Sequence, residues 1–397
     1  MPAIVSVGRT KFGEHWERGP EDLIEEAGLK ALEGVSLGRK DLDACYLSDY
    51  FLNLTNKKGL EEGFLAELLR IHVPMERLRS FSSALTNAAN ALKAGEHEIV
   101  LVGGLEKMTD RYDKIRDDLM MLEDPWSYNA GGTPEANHEL LLREYIKRYR
   151  IEGEDLEKLM KSLAYISVKN HSNALKNENA QFKKKISLED VLNAREKSSG
   201  MLGLYDYAPI SDGASALILV SDELAESFNR PIFLTASASA TDFITFPFRE
   251  DRSGLLAVRL AASKVFNKLK NLGIRKEDLK LIETYDQSTV LELVTLEDLG
   301  LMRKGKGWES IYNSLESSWN HYETKYGKFF VNTNGGLKAD GNPLGATGGA
   351  QIHEIFLQLR GDAGERQIPN LNYALALELE GFGTKAYVHV FSKEKPR

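Results

Sequence analysis

Apolar residues along the 397-residue chain form short strand-like runs that alternate with longer helical stretches. Residues 3–7 and 99–104 are almost continuously apolar, which is typical of strands covered on both faces. Between them, residues 20–32, 61–71 and 82–94 carry apolar side chains at helical spacing. This alternation predicts an α/β fold.

The stretch from about residue 110 to residue 201 has a different pattern. Charged and aromatic residues crowd together, strand signals vanish, and helical segments at 137–148 and 154–174 dominate. The buried-strand pattern returns at residues 214–221. We therefore interpret residues 111–201 as an inserted helical loop domain.

A second series of elements follows in the same coarse order. Its predicted strands and helices lie at residues 231–238, 254–272, 281–284, 289–299, 373–377 and 386–391. The chain is also longer than a single core usually is. The pattern predicts an N-terminal half of residues 1–110 plus 202–225 and a C-terminal half of residues 226–397.

Residues Asn334 to Gly349, called the cradle below, form the most distinctive segment. Six of its sixteen residues are glycines, and Pro343 lies among them. Glycines at this density allow turns and close backbone contacts that side chains would prevent. The spacing matches neither a P-loop nor a dinucleotide-binding fingerprint.

The cradle resembles the Asn-x-x-Gly-Gly…Gly-His-Pro-x-Gly-Ala-Thr-Gly motif of the thiolase superfamily, in particular of archaeal acetyl-CoA acetyltransferases and thiolases related to sterol carrier protein. Further segments resemble the family in the same order, at residues 103–109, 168–174, 208–214 and 296–301. The resemblance covers nearly the whole chain. It implies a thiolase fold, in which two similar five-stranded α/β halves pack as αβαβα layers around an inserted loop domain.

The resemblance also implies a cysteine nucleophile at the start of the helix after the third strand. Counting forward from the preceding segment places this position at Ser82, whereas counting back from the next strand leads to Leu78. Ser82 or Ser83 is therefore a candidate nucleophile. The alternative, a serine that caps the helix N-terminus, is the interpretation we favour.

Two histidines of the family motifs are replaced. Tyr285 stands where a histidine helps to bind the oxyanion, and it either donates a hydrogen bond from its hydroxyl or plugs the pocket with its ring. The adjacent Asp286 is kept, with capping of the helix near Thr289 as the alternative role. Asn342 stands where the cradle histidine is expected, and an amide binds an oxyanion or a water but removes no proton. Its alternative role is to satisfy the turn before the proline.

The last family motif contains acids. Glu378 falls at the second acid/base position, and Glu380 replaces a glycine of the second oxyanion hole. Two carboxylates there oppose a developing negative charge. Gly381 and Gly383 are expected to keep the turn.

By resemblance, CoA or acyl-CoA is the expected ligand. Its contacts are expected at Gly345, Ala346 and Gly348 of the cradle. No tightly bound cofactor is expected.

Composition and charge narrow the functional classes to which the protein can belong. The net charge of −8 argues against general nucleic-acid binding. No run reaches transmembrane length, no metal-ligand spacing occurs, and the N-terminus begins with a strand pattern instead of a leader. The single cysteine, Cys45, lies in an apolar run and is expected to be buried, which fits a cytoplasmic protein.

These replacements favour a thiolase-like protein that binds CoA or acyl-CoA as a non-catalytic or scaffolding subunit. The alternatives are an acetyl-CoA acetyltransferase with a remodelled site and a hydrolase that uses a carboxylate. We expect a homodimer or larger oligomer that associates with an active thiolase or another acyl-CoA enzyme.

Overall fold

The computed structural model describes residues 1–317 and 321–396. The strands are β1 (Ala3–Arg9), β2 (Ala44–Ser48), β3 (Met75–Leu78), β4 (Ile99–Lys107), β5 (Asp212–Val220), β6 (Ile232–Thr241), β7 (Leu279–Glu283), β8 (Tyr322–Thr324), β9 (Gly327–Val331), β10 (Tyr373–Glu380) and β11 (Lys385–Ser392). The helices are α1 (Pro20–Glu33), α2 (Leu52–Thr55), α3 (Glu61–Leu69), α4 (Phe81–Ala94), α5 (Ile115–Leu119), α6 (Pro125–Asn129), α7 (Pro134–Tyr149), α8 (Gly153–Ala174), α9 (Leu188–Glu196), α10 (Asp222–Ala225), α11 (Leu256–Asn271), α12 (Thr289–Asp298), α13 (Gly307–Ser317), α14 (Gly336–Ala339) and α15 (Leu344–Arg360).

The strand order shows an internal duplication. The N-terminal strands lie in the order β3-β2-β4-β5-β1, and the C-terminal strands lie in the corresponding order β9-β7-β10-β11-β6, with β8 added at the edge. In both halves the first two pairings of this order are parallel and the last two are antiparallel. The halves join where β1 pairs briefly with β6, at Ala3 and Ile4. The two similar five-stranded halves expected from the sequence are therefore confirmed.

Three hydrophobic clusters define five layers. Helices α4 and α15 share the central cluster with strands of both halves. Helices α1 and α3 cover the outer face of the N-terminal strands, and α11 and α12 cover that of the C-terminal strands. This is the αβαβα arrangement that the resemblance implies, because each half has a helix layer on both faces.

The segment between β4 and β5 contains helices α5 to α9 and no named strand, in agreement with the expected helical insertion. Its helices α7 and α8 pack against the C-terminal half. The exact domain boundaries stay predictions. Within the described residues, no helix combines the length and apolarity needed to cross a membrane.

The cradle is buried along its whole length, and a buried ion pair connects it to β1. Arg9 at the end of β1 donates two hydrogen bonds to the Asp340 carboxylate, at 2.7 and 3.0 Å, and both side chains are 2% exposed. Beside this ion pair Gly341 has φ of +119°, and an added Cβ would lie 2.9 Å from Cβ of Phe12. The glycine is thus required by both backbone conformation and packing.

The first turn of α15 approaches β4 so closely that neither element has room for a side chain at the point of contact. A Cβ on Gly104 would lie 2.0 Å from the Gly345 carbonyl oxygen. A Cβ on Gly345 would lie 2.4 Å from the Leu105 carbonyl oxygen and 2.6 Å from that of Ser48. Because these neighbours are backbone atoms, the structure cannot relieve such contacts by rotating a side chain.

We expect Gly104→Ala to lower the free energy of unfolding by at least about 2 kcal/mol, because overpacking of this contact forces the backbones apart. Gly103→Ala is the matched control on the same strand, where the nearest atoms to an added Cβ lie at 3.8 and 3.9 Å. Urea denaturation followed by circular dichroism measures both. Equal stabilities of the two variants would contradict the constraint.

Candidate functional site

A cavity of about 980 Å³ lies between the loop domain and the cradle. Its walls come from α5, α7, the segment 198–210 and the cradle, and they include Tyr207, Lys338, Asn342 and Leu344. A volume of this size accommodates a cofactor-sized ligand. We call it the main cavity.

Asn342 is the predicted catalytic position that lines the main cavity. Its Oδ1 accepts a hydrogen bond from the Thr347 hydroxyl at 2.8 Å, and its backbone N–H donates to Ser211 Oγ at 2.8 Å. The amide NH₂ has no hydrogen bond to the described residues. With this assignment of the amide, the group available to a ligand is a donor.

Ser82 lies in the first turn of α4, as the forward count along the chain predicts, whereas Leu78 lies in β3. The interpretation of Ser82 or Ser83 as the helix cap is wrong. Ser80 is the N-cap, and its hydroxyl oxygen accepts from the Ser83 N–H at 3.2 Å. A Ser-x-Ser-Ser run offers several possible caps, and only the backbone geometry selects one.

Ser82 is sealed against Glu378 and away from the main cavity. The Ser82 N–H donates to Glu378 Oε2 at 2.6 Å, and each side chain is 1% exposed. The neighbouring Glu380 accepts a hydrogen bond from the Ser80 hydroxyl at 2.7 Å. Two carboxylates therefore meet the N-terminus of α4, where the positive end of the helix favours negative charge.

Burial raises the pKa of the Glu378 carboxyl to about 7, and the hydrogen bonds from Ser82 oppose this rise. The nearby Glu380 charge raises the pKa further. Glu378 Oε1 is buried and has no hydrogen-bond partner among the described residues. The carboxyl is thus held in a costly environment but has no open path to a substrate.

Tyr285 is buried beside a small second cavity. Its side chain is 3% exposed, and it lines a residual cavity of about 10 Å³ together with Tyr50, Glu123 and Gly381. Burial raises the pKa of both tyrosines, and the Glu378 and Glu380 charges add to the effect. Of the two interpretations of Tyr285, this geometry favours the plug.

The expected CoA-contacting positions in the cradle face protein atoms. The Gly345 N–H donates to Glu106 Oε2 at 3.1 Å, and its carbonyl oxygen accepts from Ser48 Oγ at 2.6 Å. The Ala346 carbonyl oxygen accepts from Ser215 Oγ at 2.6 Å. A Cβ on Gly348 would lie 2.3 Å from Glu378 Oε2.

The turn after β10 keeps its two glycines. Gly381 has φ of +59° and Gly383 has φ of +69°, and the Gly383 N–H donates to the Gly381 carbonyl oxygen at 2.9 Å. Both conformations favour glycine. The ligand-binding and catalytic roles assigned to all these positions stay predictions.

Two further sequence interpretations have clear outcomes. Asp286 does not cap the helix at Thr289, because Ser288 does so. Its carboxylate instead accepts from the Leu337 N–H at 2.7 Å, at the first turn of α14. Cys45 is 1% exposed, and burial raises the pKa of its thiol to about 12, as expected for a small apolar residue.

Lys338 and His138 also line the main cavity, and neither was a candidate from the sequence. Lys338 lies inside the cradle and is 4% exposed, and His138 lies in the first turns of α7 and is 3% exposed. A lysine between cradle glycines was the available signal for the first. His138 had none, because its partner Ser288 lies 150 positions further along the chain.

The charged residues on the cavity rim are partly compensated. Arg116 forms an ion pair with Glu135, and Arg143 forms one with Glu139. Lys184 is exposed at the rim and forms no ion pair with the described residues. The cavity therefore offers cationic groups to an anionic ligand at two places, Lys184 outside and Lys338 inside.

The chain was compared with protein families and with known proteins. Residues 2–223 match the family model "Thiolase, N-terminal domain", and residues 244–393 match "Thiolase C-terminal domain-like". The acetyl-CoA acetyltransferase of Methanothermobacter thermautotrophicus is 34% identical over 398 residues, which cover 98% of this chain and 99% of that protein. Sterol carrier protein 2 of Oryctolagus cuniculus is 30% identical over 411 residues, which cover 99% of this chain and 72% of that protein.

Solved structures show the same fold. The structure titled "Ltp2-ChsH2(DUF35) aldolase" matches with a TM-score of 0.80 at 21% identity and covers 99% of this chain and 98% of that chain. Human mitochondrial 3-ketoacyl-CoA thiolase matches with a TM-score of 0.71 at 17% identity, and 98% of each chain is covered. Together, the family models, the relatives and the duplicated strand order show that the chain belongs to the thiolase superfamily.

Proposed function

We propose that this chain binds CoA or an acyl-CoA in the main cavity and does not carry out acyl transfer, acting as a ligand-binding or scaffolding subunit. The observation that carries the proposal is the contact between Ser82 and Glu378. It buries the residue at the nucleophile position outside the cavity that a ligand can enter.

The replaced side chains support the same conclusion. Nucleophilic catalysis by serine needs a base within hydrogen-bonding distance and an open path to the substrate. Asn342 faces the cavity but removes no proton, and the Tyr285 ring fills the inner space. Among the described residues, no set of nucleophile, base and oxyanion donors therefore opens onto the main cavity.

The main cavity itself supports ligand binding. Its volume of about 980 Å³ and its cationic groups suit a ligand that carries phosphates. Phe182 and Tyr205 line its rim and provide flat apolar faces. By family membership, CoA is the ligand that this chemistry favours.

One observation favours the alternative, an acetyl-CoA acetyltransferase with a remodelled site. Glu378 contacts Ser82, and burial raises the pKa of its carboxyl to about 7. The pair therefore consists of a carboxyl suited to act as a base and a hydroxyl suited to act as a nucleophile. The relative from Methanothermobacter is named for this activity. The alternative requires Tyr285 to move before a thioester reaches Ser82.

A subunit without its own chemistry implies a partner. The name of the structural neighbour "Ltp2-ChsH2(DUF35) aldolase" joins Ltp2 with ChsH2(DUF35). We propose that this chain likewise associates with an active thiolase, a DUF35 protein or another acyl-CoA enzyme, as a homodimer or larger oligomer, in cytoplasmic lipid metabolism.

Calorimetric titration with CoA and acetyl-CoA is expected to show binding to the natural chain. Ala136→Trp should weaken it at least about tenfold, because Ala136 lines the main cavity and the indole fills it. Ser82→Ala should leave the affinity within about twofold, because Ser82 lies outside the cavity. No binding to the natural chain would overturn the proposal.

A thiolysis assay with acetoacetyl-CoA separates the two functions. The natural chain is expected to show no turnover above background, and Asn342→His alone should not restore it, because Ser82 stays sealed and Tyr285 stays in place. Turnover by the natural chain that is abolished in Ser82→Ala would establish the catalytic alternative instead.

The difference in the free energy of unfolding between Glu378→Gln and the natural chain is expected to depend on pH. Burial raises the pKa of Glu378 from 4.5 to about 7 on folding. As pH rises between these values, the unfolded chain ionises more readily than the folded chain, and the free energy of unfolding falls. Relative to the natural chain, the variant should gain on the order of 1 kcal/mol at pH 5.5 and 3 kcal/mol at pH 8. Urea denaturation at both values measures this. In a Glu380→Gln background the gain should shrink, and a gain that falls as pH rises would contradict the sealed carboxyl.

A further inference from the structure

The inner wall of the main cavity contains a short backbone pairing. Tyr207, in the segment that leaves the loop domain, forms an isolated antiparallel bridge with Ser288, which begins α12. Lys338 reaches this bridge from α14, and its Nζ donates to the Tyr207 carbonyl oxygen. His138 reaches it from α7, with Nδ1 2.9 Å from Ser288 Oγ. Lys338 and His138 therefore flank one bridge on one wall.

Lys338 is a buried cation without a carboxylate at ion-pair distance among the described residues. Its ammonium has three N–H donors, and the hydrogen bond to Tyr207 uses one of them. Arg116 and Arg143, which line the same cavity, each already have a glutamate partner. Lys338 is thus the cation of the inner wall whose charge a ligand would compensate.

His138 offers a donor without a charge. Ser288 Oγ accepts the Leu291 N–H at 3.3 Å and lies 2.9 Å from His138 Nδ1. With the tautomer in which the Ser288 hydroxyl donates to Nδ1, the ring proton lies on Nε2. Burial lowers the pKa of His138 to about 4, so the ring is neutral near pH 7. No described residue forms a hydrogen bond with Nε2, and His138 lines the main cavity, so this tautomer places an N–H donor at the cavity wall.

We propose that Lys338 and His138 form a subsite for an anionic group of the bound ligand, either a carboxylate at the end of an acyl chain or a phosphate of CoA. The proposal rests on the proposed function in one respect, that the ligand enters this cavity as a CoA derivative. An anion here would accept a charge-assisted hydrogen bond from Lys338 and a second hydrogen bond from His138.

The groups around Lys338 define its pH dependence. Burial lowers the pKa of Lys338 to about 8, and Asp206 and Asp286 oppose this. Burial lowers the pKa of His171 to about 4 and raises that of Tyr207, so both are neutral between pH 7 and 9. Burial raises the pKa of Asp286 to about 7, and the Glu292 charge adds to the rise, so protonation of Asp286 below pH 7 strengthens anion binding. Affinity should therefore fall as pH rises through 8, as Lys338 loses its proton.

Succinyl-CoA and butyryl-CoA are matched ligands, because they differ by the terminal carboxylate. Titration of the natural chain, Lys338→Met and Lys184→Met at pH 7 tests the subsite. We expect Lys338→Met to lose at least about tenfold in affinity for the ligand whose anion it binds, and the exposed Lys184→Met to lose less. Loss of a preference for succinyl-CoA identifies the carboxylate, and equal loss for both ligands identifies a phosphate. Affinities within about twofold of the natural chain for both ligands would overturn the subsite.

The dependence of affinity on pH is measured with the natural chain alone, so it tests the subsite even where Lys338→Met does not fold. The affinity of the natural chain for succinyl-CoA should fall by about tenfold per pH unit above pH 8. Butyryl-CoA should follow the same profile if a phosphate is bound and should stay flat if the carboxylate is bound. Flat profiles for both ligands would overturn the subsite.

The subsite and the proposed function can fail separately. Where CoA derivatives do not bind, thermal unfolding with free succinate or inorganic phosphate still tests the subsite. A rise in the unfolding temperature of the natural chain that is lost in Lys338→Met supports it, and no rise with either anion overturns it. His138→Phe keeps a ring against Phe382 and should weaken anion binding about threefold or more by removing the donor.

Discussion

The contact between β4 and the first turn of α15 constrains both the fold and the site. Gly104 and Gly345 bring two backbones together at a distance that excludes any Cβ. As a result, the Gly345 N–H points to Glu106, whose carboxylate also accepts from the N–H groups of Tyr50 and Phe51. A helix N-terminus that would attract an anionic ligand is here satisfied by the protein itself. The glycines of the cradle are thus needed for folding whether or not the site performs chemistry.

The same principle applies at the N-terminus of α4. In the family this helix end stabilises a thiolate, and here Glu378 and Glu380 supply the negative charge from within the chain. Glu378 also occupies the space beside Gly348, where an added Cβ would lie 2.3 Å from its carboxylate. One closed unit is therefore formed by the N-terminus of α4, Gly348 of α15 and the Glu378 carboxylate. Its cost is the raised pKa of Glu378, because burial opposes the carboxylate form that the helix N-terminus favours.

The sequence predicted the features that depend on local pattern. The apolar run of β4, the helical insertion and the cradle glycines each follow from neighbouring residues, and the order of motifs was enough for the duplicated fold. The misassigned caps show the limit, because the selection of Ser80 over Ser82 depends on backbone angles that composition does not encode. The alternative role of Asp286, capping of the adjacent helix, is wrong because Ser288 caps that helix and the Asp286 carboxylate accepts from Leu337, 51 positions away.

The site was predictable only as a set of positions. Ser82 and Glu378 were both candidates from the sequence, but their mutual contact spans 296 residues and no local signal indicates that it buries them. His138 was missed for the same reason, because its partner Ser288 lies 150 positions away. Lys338 carried a local signal in its place among the cradle glycines, but its contact with Tyr207 spans 131 positions. Tertiary contacts of this length lie outside what one unaligned sequence can show.

The main cavity is separated from Ser82 and Glu378 by a wall whose position the backbone constraint fixes. Leu119, Pro134, Gln287 and Leu344 line both the main cavity and the residual cavity at Tyr285, so the small cavity continues inward from the large one. Leu344 directly precedes Gly345, and the contact with β4 therefore holds it in the passage. Restoring a histidine at position 285 would widen the passage beyond Leu344, but Glu378 would still oppose the negative charge that acyl transfer develops. Under the proposed function, the absence of acyl transfer would thus follow from the packed unit around α4 and α15, and not from any one replaced side chain.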